Sequence, residues 1–229
     1  MSITAVILAA GNGSRMKMEK TKQKILIDGK TVLYRTVKAF EESATVDDVV
    51  VVVRDDEVNF ACREISAFEK VRKIVVGGNN RLESSKIGFN SIDWQFDYIA
   101  IHDGARCFVT PKMINAVCLD AQKYGAATAS TAVTDTLKKI DCNGNIILTV
   151  DRSDMVCAQT PQVFRKELYE KGIASVRENG DSITDDNMLI ERMGIPVHCT
   201  ETGKSNIKIT VREDLLFANG LLNGDFKDV

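Results

Sequence analysis

Proline is scarce in this chain, with three residues in 229, and no stretch gathers proline, glycine or serine into a linker. With no internal repeat or low-complexity tract, residues 1–229 read as one domain, of a length that buries a sizeable core. Histidine occurs twice, as His102 and His198, and the six cysteines contain no C-x-x-C pair. With that spacing no zinc site is expected, and a core this large folds without disulfides, so reduced thiols and a cytoplasmic location are expected. No charge of one sign is in excess: 30 Lys and Arg face 32 Asp and Glu, for a net charge of −2. A nucleic-acid binder carries a basic surplus, so that class is set aside. No apolar run approaches membrane-spanning length, and the start enters a strand without a basic leader, so neither a membrane span nor a signal peptide is expected.

What is present is ordinary for a globular enzyme, 44% hydrophobic and 27% charged residues. Apolar runs bounded by turn residues predict strands over 3–10, 48–53, 72–76, 97–102, 126–133 and 195–200. Helical periodicity predicts helices over 31–42, 55–69, 81–91, 111–124, 164–175, 183–193 and 211–222. Alternation of Val/Ile-rich strands with helices gives an α/β fold, a Rossmann-like, mostly parallel twisted sheet with helices on both faces. One segment breaks the rhythm. From Thr134 to Asp151 two polar-alternating strands flank Asp141-Cys142-Asn143-Gly144-Asn145, and Asn-Gly between strands is a hairpin signal. A β-hairpin arm is therefore expected at about 134–155, protruding from the domain.

The chain opens on a buried-strand pattern that runs into Ala9-Ala10-Gly11-Asn12-Gly13-Ser14-Arg15-Met16. Small residues let a ligand approach backbone N–H groups, and Arg15 adds a permanent charge; with Lys22 this makes a cradle for a nucleoside triphosphate. An ordinary strand-to-helix turn has the same pattern. A Walker A loop is excluded because no Gly-Lys-Ser/Thr ending follows, and Met16 stands where a dinucleotide fingerprint has its third glycine.

Further along, His102-Asp103-Gly104-Ala105-Arg106 ends a buried strand in charge, where α/β enzymes hold metals or sugar hydroxyls. An Asp103–Arg106 ion pair is the plainer alternative, and His102 reads as a packed, hydrogen-bonding residue because no nucleophile motif accompanies it. His198 carries no signal. Gly77-Gly78-Asn79-Asn80-Arg81 feeds a helix whose first turn holds Ser84; it is either an anion or base-edge site or a helix capped by Asn80 with Glu83 at the third position. Gln159-Thr160-Pro161-Gln162 follows the arm, and Thr184-Asp185-Asp186 reads as a capping cluster. Ser205–Thr210 is expected to be a short strand with Lys208 opposite Ile207 and Ile209.

In order, these elements are A-A-G-x-G-x-R-M, K-Q, G-G-x-x-R-x-x-S, H-D-x-A-R, D-T-L-K, D-R, Q-T-P-Q, T-D-D and N-I-K-I-T. Together the nine motifs, spread from about residue 3 to residue 222, resemble the 2-C-methyl-D-erythritol 4-phosphate cytidylyltransferases, of the nucleotide-diphospho-sugar-transferase fold group. The resemblance implies transfer of CMP from CTP to methylerythritol 4-phosphate with release of pyrophosphate, in non-mevalonate isoprenoid synthesis. It implies CTP binding by Ala9, Ala10, Gly11, Gly13, Gly78, Ser84 and Asp103, with Arg81 supporting its turn. Catalytic charge would come from Arg15, Lys22 and Lys208, and acceptor contacts from Arg106, Thr136, Arg152 and Thr160. It also implies a homodimer in which the arm brings Thr136 and Arg152 to the neighbouring subunit's site. The chain departs from the family pattern at Thr21 and Cys107, where prolines are usual, at Gly104, where alanine is usual, and at Met155-Val156, where an aromatic is often found.

The chemistry suits these residue types. A phosphate monoester has a second pKa near ~6, so the nucleophilic oxygen is largely deprotonated at neutral pH. Positioning and charge neutralisation then do the work, with no general base required. Mg²⁺ is the expected cofactor, held mainly by CTP phosphates with Asp103 nearby, which fits the lack of an Asp-x-Asp pair. The competing expectations are a ribitol-5-phosphate cytidylyltransferase and a non-catalytic nucleotide-binding protein; an NAD-binding protein is opposed by Met16.

Overall fold

The computed structural model describes residues 1–11, 21–176 and 182–223. Five consecutive valines, Val49–Val53, lie in a strand of Asp48–Val53, and all five are buried. β-branched side chains suit a pleated strand covered on both faces, which is the environment of a parallel sheet. Numbered along the chain, the strands of the main sheet are β1 (Ile3–Leu8), β4 (Asp48–Val53), β5 (Val71–Val76), β6 (Tyr98–Asp103), β7 (Ala126–Ala132), β10 (Val156–Arg165) and β11 (His198–Glu201). Two short hairpins supply the rest, β2 (Leu26–Ile27) with β3 (Lys30–Thr31), and β8 (Lys138–Ile140) with β9 (Ile146–Thr149). The seven-stranded order is β11-β7-β10-β6-β1-β4-β5. Neighbours run parallel except at β10, which is antiparallel to both β6 and β7.

Alternate strand residues face opposite layers. Ile3, Ala5, Ile7, Val49, Val51 and Val53 pack with α1 (Val32–Glu41), α2 (Val58–Glu64) and α4 (Pro111–Tyr124) through Leu33, Val37, Phe40, Ala61, Ile65, Ile114 and Val117. Val6, Val50, Val52, Ile99 and Ile101 pack on the other face with α3 (Arg81–Asn90), α5 (Lys166–Ala174) and α6 (Asn187–Glu191) through Phe89, Tyr169, Leu189 and Ile190. A smaller cluster of Ile25, Ile27, Val32, Cys107, Ile209 and Ala218 seats α7 (Asp214–Asn223) beside β2. Leu8 lies opposite both Val52 and Asp103, so the C-terminal ends of β1, β4 and β6 stand level along one edge. Among the described residues no helix is long and apolar enough to cross a membrane.

The α/β fold and the hairpin at 138–149 follow the sequence expectation, while several boundaries do not. The strand Val156–Arg165 is the main departure. Pro161 argues against an inner strand, and a register shift between Ala158 and Gln162 lets the ladder pass it. This strand takes Phe164 and Arg165 from the expected helix, which starts at Lys166. The helix expected over 55–69 is a 3-10 turn at Asp55–Glu57 followed by α2 alone. The helix expected over 183–193 shrinks to Asn187–Glu191, with Asp185 Oδ1 accepting from the Met188 amide at 3.4 Å and Asp186 turned away from the helix start. Ser205–Thr210 joins no ladder; it is an extended segment held by the Ile209 amide on the Ala105 carbonyl at 2.9 Å.

All six cysteines are unpaired. Burial pushes the Cys107 thiol up to about 12 and the Cys118 thiol up to about 11. Because the thiolate is the reactive form, both are expected to resist alkylation at pH 8 until denaturant is added. Mass spectrometry of labelled native protein checks this, and labelling of Cys107 or Cys118 before unfolding contradicts it.

Candidate active site

Along the level strand edge lies a cleft of about 830 Å³. Its walls come from the ends of four parallel strands: Ala10 and Gly11 after β1, Arg54–Asp56 after β4, Val76–Asn80 after β5, and Asp103 and Ala105 at β6. Lys22 and Gln23 close one side, Arg81 and Ser84 of α3 another, and Lys208 reaches in from the extended segment. Ligand clefts of α/β sheets sit at this edge because every strand there delivers a loop to the same place.

The two glycine turns meet in the cleft. A Cβ on Gly77 would lie 2.6 Å from the Cβ of Ala10, so only glycine lets the β5 turn close on the β1 turn. Asn80 caps α3 by accepting from the Glu83 amide at 2.8 Å, and Glu83 in turn accepts from the Asn79 amide at 2.8 Å. The capping alternative therefore holds, and the turn lines the cleft as well. Ser84 Oγ accepts from the Gly78 amide at 3.1 Å and donates to the Asn80 carbonyl at 2.9 Å. At Gly104 a Cβ would stand 3.0 Å from the Leu8 carbonyl oxygen, a tight contact that a small shift of the neighbouring backbone would relieve.

Asp103 is the electrostatic centre. Its Oδ2 accepts from Lys208 Nζ at 2.7 Å, its Oδ1 accepts from Arg81 Nε at 3.2 Å, and Arg106 Nε lies 3.8 Å from Oδ2. Burial favours the neutral acid, yet the three cations outweigh it and hold Asp103 far below the usual carboxylate range. Arg81 also reaches Asp186, whose Oδ1 accepts from Ser85 Oγ at 2.8 Å and from Tyr169 Oη at 2.7 Å. Burial drives Tyr169 well above its ordinary value, and the Asp186 charge adds to that. The Asp186 amide donates to Gln162 Oε1 at 2.9 Å, so the Thr184–Asp186 turn is pinned to β10 and braces Arg81 from behind. The capping expectation for this turn is corrected in one respect: Asp186 spends its side chain on Arg81, Ser85 and Tyr169 rather than on a helix N-terminus.

Asn206 positions Lys208. Its Nδ2 donates to Gln159 Oε1 and to the Thr160 carbonyl, both at 2.9 Å, and its own carbonyl accepts from Arg106 Nη1 at 2.7 Å. The register shift that admits Pro161 thus also exposes the groups that anchor the lysine segment. His102 is buried; desolvation lowers its pKa to about 3, and Thr160 Oγ1 lies 3.1 Å from its Nδ1. It is a neutral, packed residue, as expected.

Of the sequence-predicted residues, the cleft collects Ala10, Gly11, Lys22, Gly78, Ser84, Asp103 and Lys208. Ala9 stands apart from them: it is buried in the core layer, and its amide donates to the Val52 carbonyl at 2.7 Å, so that N–H is not offered to a phosphate. Arg106 and Thr160 lie behind the wall, Thr160 Oγ1 accepting from the Asp103 amide at 3.0 Å. Thr136 and Arg152 are exposed on and beside the arm, with the Arg152 guanidinium donating to the Thr134 carbonyl, and neither lines the cleft of its own chain. Gly13 and Arg15 lie outside the described residues. Sequence reasoning placed Gln159, Gln162, Asp186 and Asn206 in motifs without giving them a site-building role and passed over Tyr169; each is a buried polar side chain with partners well outside its own turn.

The arrangement has its counterpart among known proteins. The family described as 2-C-methyl-D-erythritol 4-phosphate cytidylyltransferase (IspD) matches residues 3–224. The chain belongs to this cytidylyltransferase family. A relative of that name from Clostridium perfringens is 39% identical over 218 residues, spanning 94% of this chain and 96% of the relative. Another, from Caldanaerobacter subterraneus subsp. tengcongensis, is 40% identical over 222 residues, 95% of this chain and 97% of its own length. The solved 4-diphosphocytidyl-2C-methyl-D-erythritol synthase of Anaerococcus prevotii superposes with a TM-score of 0.87 at 29% identity, covering 97% of this chain and 96% of that one. The cytidylyltransferase fold thus runs through this chain from the first strand to the last helix.

Proposed function

We propose that this cytidylyltransferase transfers CMP from CTP to 2-C-methyl-D-erythritol 4-phosphate, giving 4-diphosphocytidyl-2-C-methyl-D-erythritol and pyrophosphate for isoprenoid synthesis. The observation that carries this reading is the convergence of two lysines, Lys22 and Lys208, on a cleft walled by two glycine turns. In this reading Ala10, Gly11 and Gly13 take the phosphates through backbone N–H groups, and Arg15 and Lys22 neutralise the triphosphate. Gly78 and Ser84 face the base. Lys208, held on Asp103, meets the acceptor phosphate and the charge that builds on the α-phosphorus. Arg106 and Thr160 act by supporting Asp103. Among the described residues no three His, Cys, Asp or Glu side chains gather as a metal cage. Asp103 is the buried carboxylate of the cleft, but Lys208 and Arg81 already take its two oxygens, so a Mg²⁺ would be held by the CTP phosphates, with Asp103 near it and not a ligand, and would supply further neutralisation.

Pyrophosphate release with CTP and Mg²⁺ tests the reaction, with methylerythritol 4-phosphate and ribitol 5-phosphate offered in parallel. Faster turnover of the first supports the reading. Preference for ribitol 5-phosphate overturns the acceptor, and release with neither points to a nucleotide-binding protein. A cytoplasmic setting accords with six unpaired thiols, and finding the protein outside the cytoplasm on fractionation would count against it.

The arm is proposed to exchange across a homodimer, delivering Thr136 and Arg152 to the neighbouring cleft. The β8–β9 pair forms a sheet of its own, and Ile140, Ile146, Ile147 and Leu148 are each more than half exposed. A lone two-stranded hairpin is marginal in water, and an apolar patch on it signals a covering partner. Ile147→Asp is expected to give a monomer in sedimentation with little turnover. A monomeric native protein, or an unchanged dimer in the variant, contradicts this.

A further inference from the structure

Glu57 ends the 3-10 turn that follows β4 and is 1% exposed. A carboxylate in that position is costly unless it is paired and hydrogen-bonded. Its Oε1 accepts from Thr21 Oγ1, and Lys24 Nζ lies 3.5 Å from the same oxygen. Thr21 and Lys24 bracket Lys22 in sequence, and all three belong to one tight turn. That turn is closed by the Lys24 amide on the Thr21 carbonyl at 3.1 Å and the Ile25 amide on the Lys22 carbonyl at 3.2 Å. Glu57 therefore grips both ends of the turn that carries a cleft lysine.

The backbone of Thr21 is also set. Its φ of −66° and ψ of 154° place it in the extended region, at the φ of about −65° that a proline ring imposes. Among the described residues its N–H donates to no group. The hydroxyl–carboxylate bond is thus a side-chain means of holding a backbone angle that a ring would hold covalently.

We infer that Glu57 is a positioning residue for CTP, setting through Thr21 and Lys24 where the Lys22 amine stands in the cleft. The inference rests on the proposed function, in which Lys22 meets the triphosphate. It carries a specific corollary: a ring at position 21 replaces the hydrogen bond.

The test compares Thr21→Val, which removes the hydroxyl, with Thr21→Pro, which removes it and fixes φ, and with Glu57→Gln, which keeps an acceptor and loses the charge. Hydrogen bonds to charged groups support an expected loss of about tenfold in kcat/KM for CTP in T21V. KM for CTP should rise while KM for the acceptor stays put. T21P is expected to return to within about threefold of the parent, with E57Q between the two. CTP affinity is measured separately by calorimetry, so the inference is tested even if neither acceptor is turned over. A merely structural contact would lower Tm and leave the CTP constants alone. T21V with unchanged CTP affinity, or T21P as impaired as T21V, overturns the inference. A parent protein that binds CTP but turns over no acceptor overturns the functional reading instead, and one that binds no CTP overturns both.

Discussion

Asp186→Ala is expected to lower Tm by roughly 10 °C and kcat/KM by at least about tenfold, although Asp186 lines no part of the cleft. The stability loss follows from what is left behind. Asp186 is buried and accepts from Ser85, Tyr169 and Arg81 at once. Alanine removes their shared acceptor, leaving Ser85 and Tyr169 only each other at 2.6 Å and Arg81 only Asp103, and removing one partner of a buried ion pair costs about 3–5 kcal/mol. Arg81 is partly open to solvent, so the lower end applies. For a domain of this size each kcal/mol moves Tm by about 2–4 °C.

The loss of activity follows from Arg81, which spans Asp186 and Asp103 and fixes one oxygen of the carboxylate on which Lys208 rests. Asp186→Asn separates the two effects. An amide retains an oxygen for the Ser85 and Tyr169 hydroxyls and loses the charge that holds Arg81. It should recover only the part of the thermal stability that the two hydroxyl contacts supply, and little of the activity. Melting curves with steady-state kinetics on both variants decide the matter. A D186A protein with native Tm and turnover would show that the Asp103–Arg81–Asp186 chain is ornamental.

The contrast between Asp186 and Asn80 shows what was legible beforehand. Asn80 with Glu83 is a local signal, three residues apart, and the cap forms as read. The valine run and the Asn-Gly arm are local in the same sense, since each rests on a period or turn that a short window contains. Asp186 and Lys208 meet partners 105 residues away, and no window holds such a pairing. Family resemblance placed Lys208 in the site; its geometry there depends on Asn206 reaching Gln159, which exists only once β10 has formed. That strand was hidden because its middle carries Pro161 and buries polar side chains, the reverse of the apolar alternation by which strands are read. The Asp28-Gly29 turn was within reach: both residues adopt positive φ, as a two-residue hairpin loop requires, but strands two residues long leave no periodicity to detect.

Lys208→Gln is expected to cut kcat by about 10²–10³ while leaving CTP affinity nearly intact, whereas Lys22→Gln should reduce both. The difference follows from where each amine sits. Lys22 lines the cleft from the turn beside the β1 loop, so under the proposed function its charge would meet CTP in the ground state as well as in the transition state. Lys208 arrives from the opposite end of the chain and is held on Asp103, where the acceptor phosphate would approach the α-phosphorus. A charge that strengthens its interaction only as the new bond forms affects kcat more than binding. Glutamine keeps much of the length of each side chain, and Lys208 is half-exposed, so Tm should change little in the Lys208 variant. Removing Lys208 also strips Asp103 of its nearest cation, so its carboxyl should titrate higher than in the parent. Calorimetry with CTP and pyrophosphate-release kinetics on the two variants give the answer. A Lys208→Gln protein with kcat within about threefold of the parent would remove that lysine from the chemistry and leave Lys22 and Arg15 to carry it.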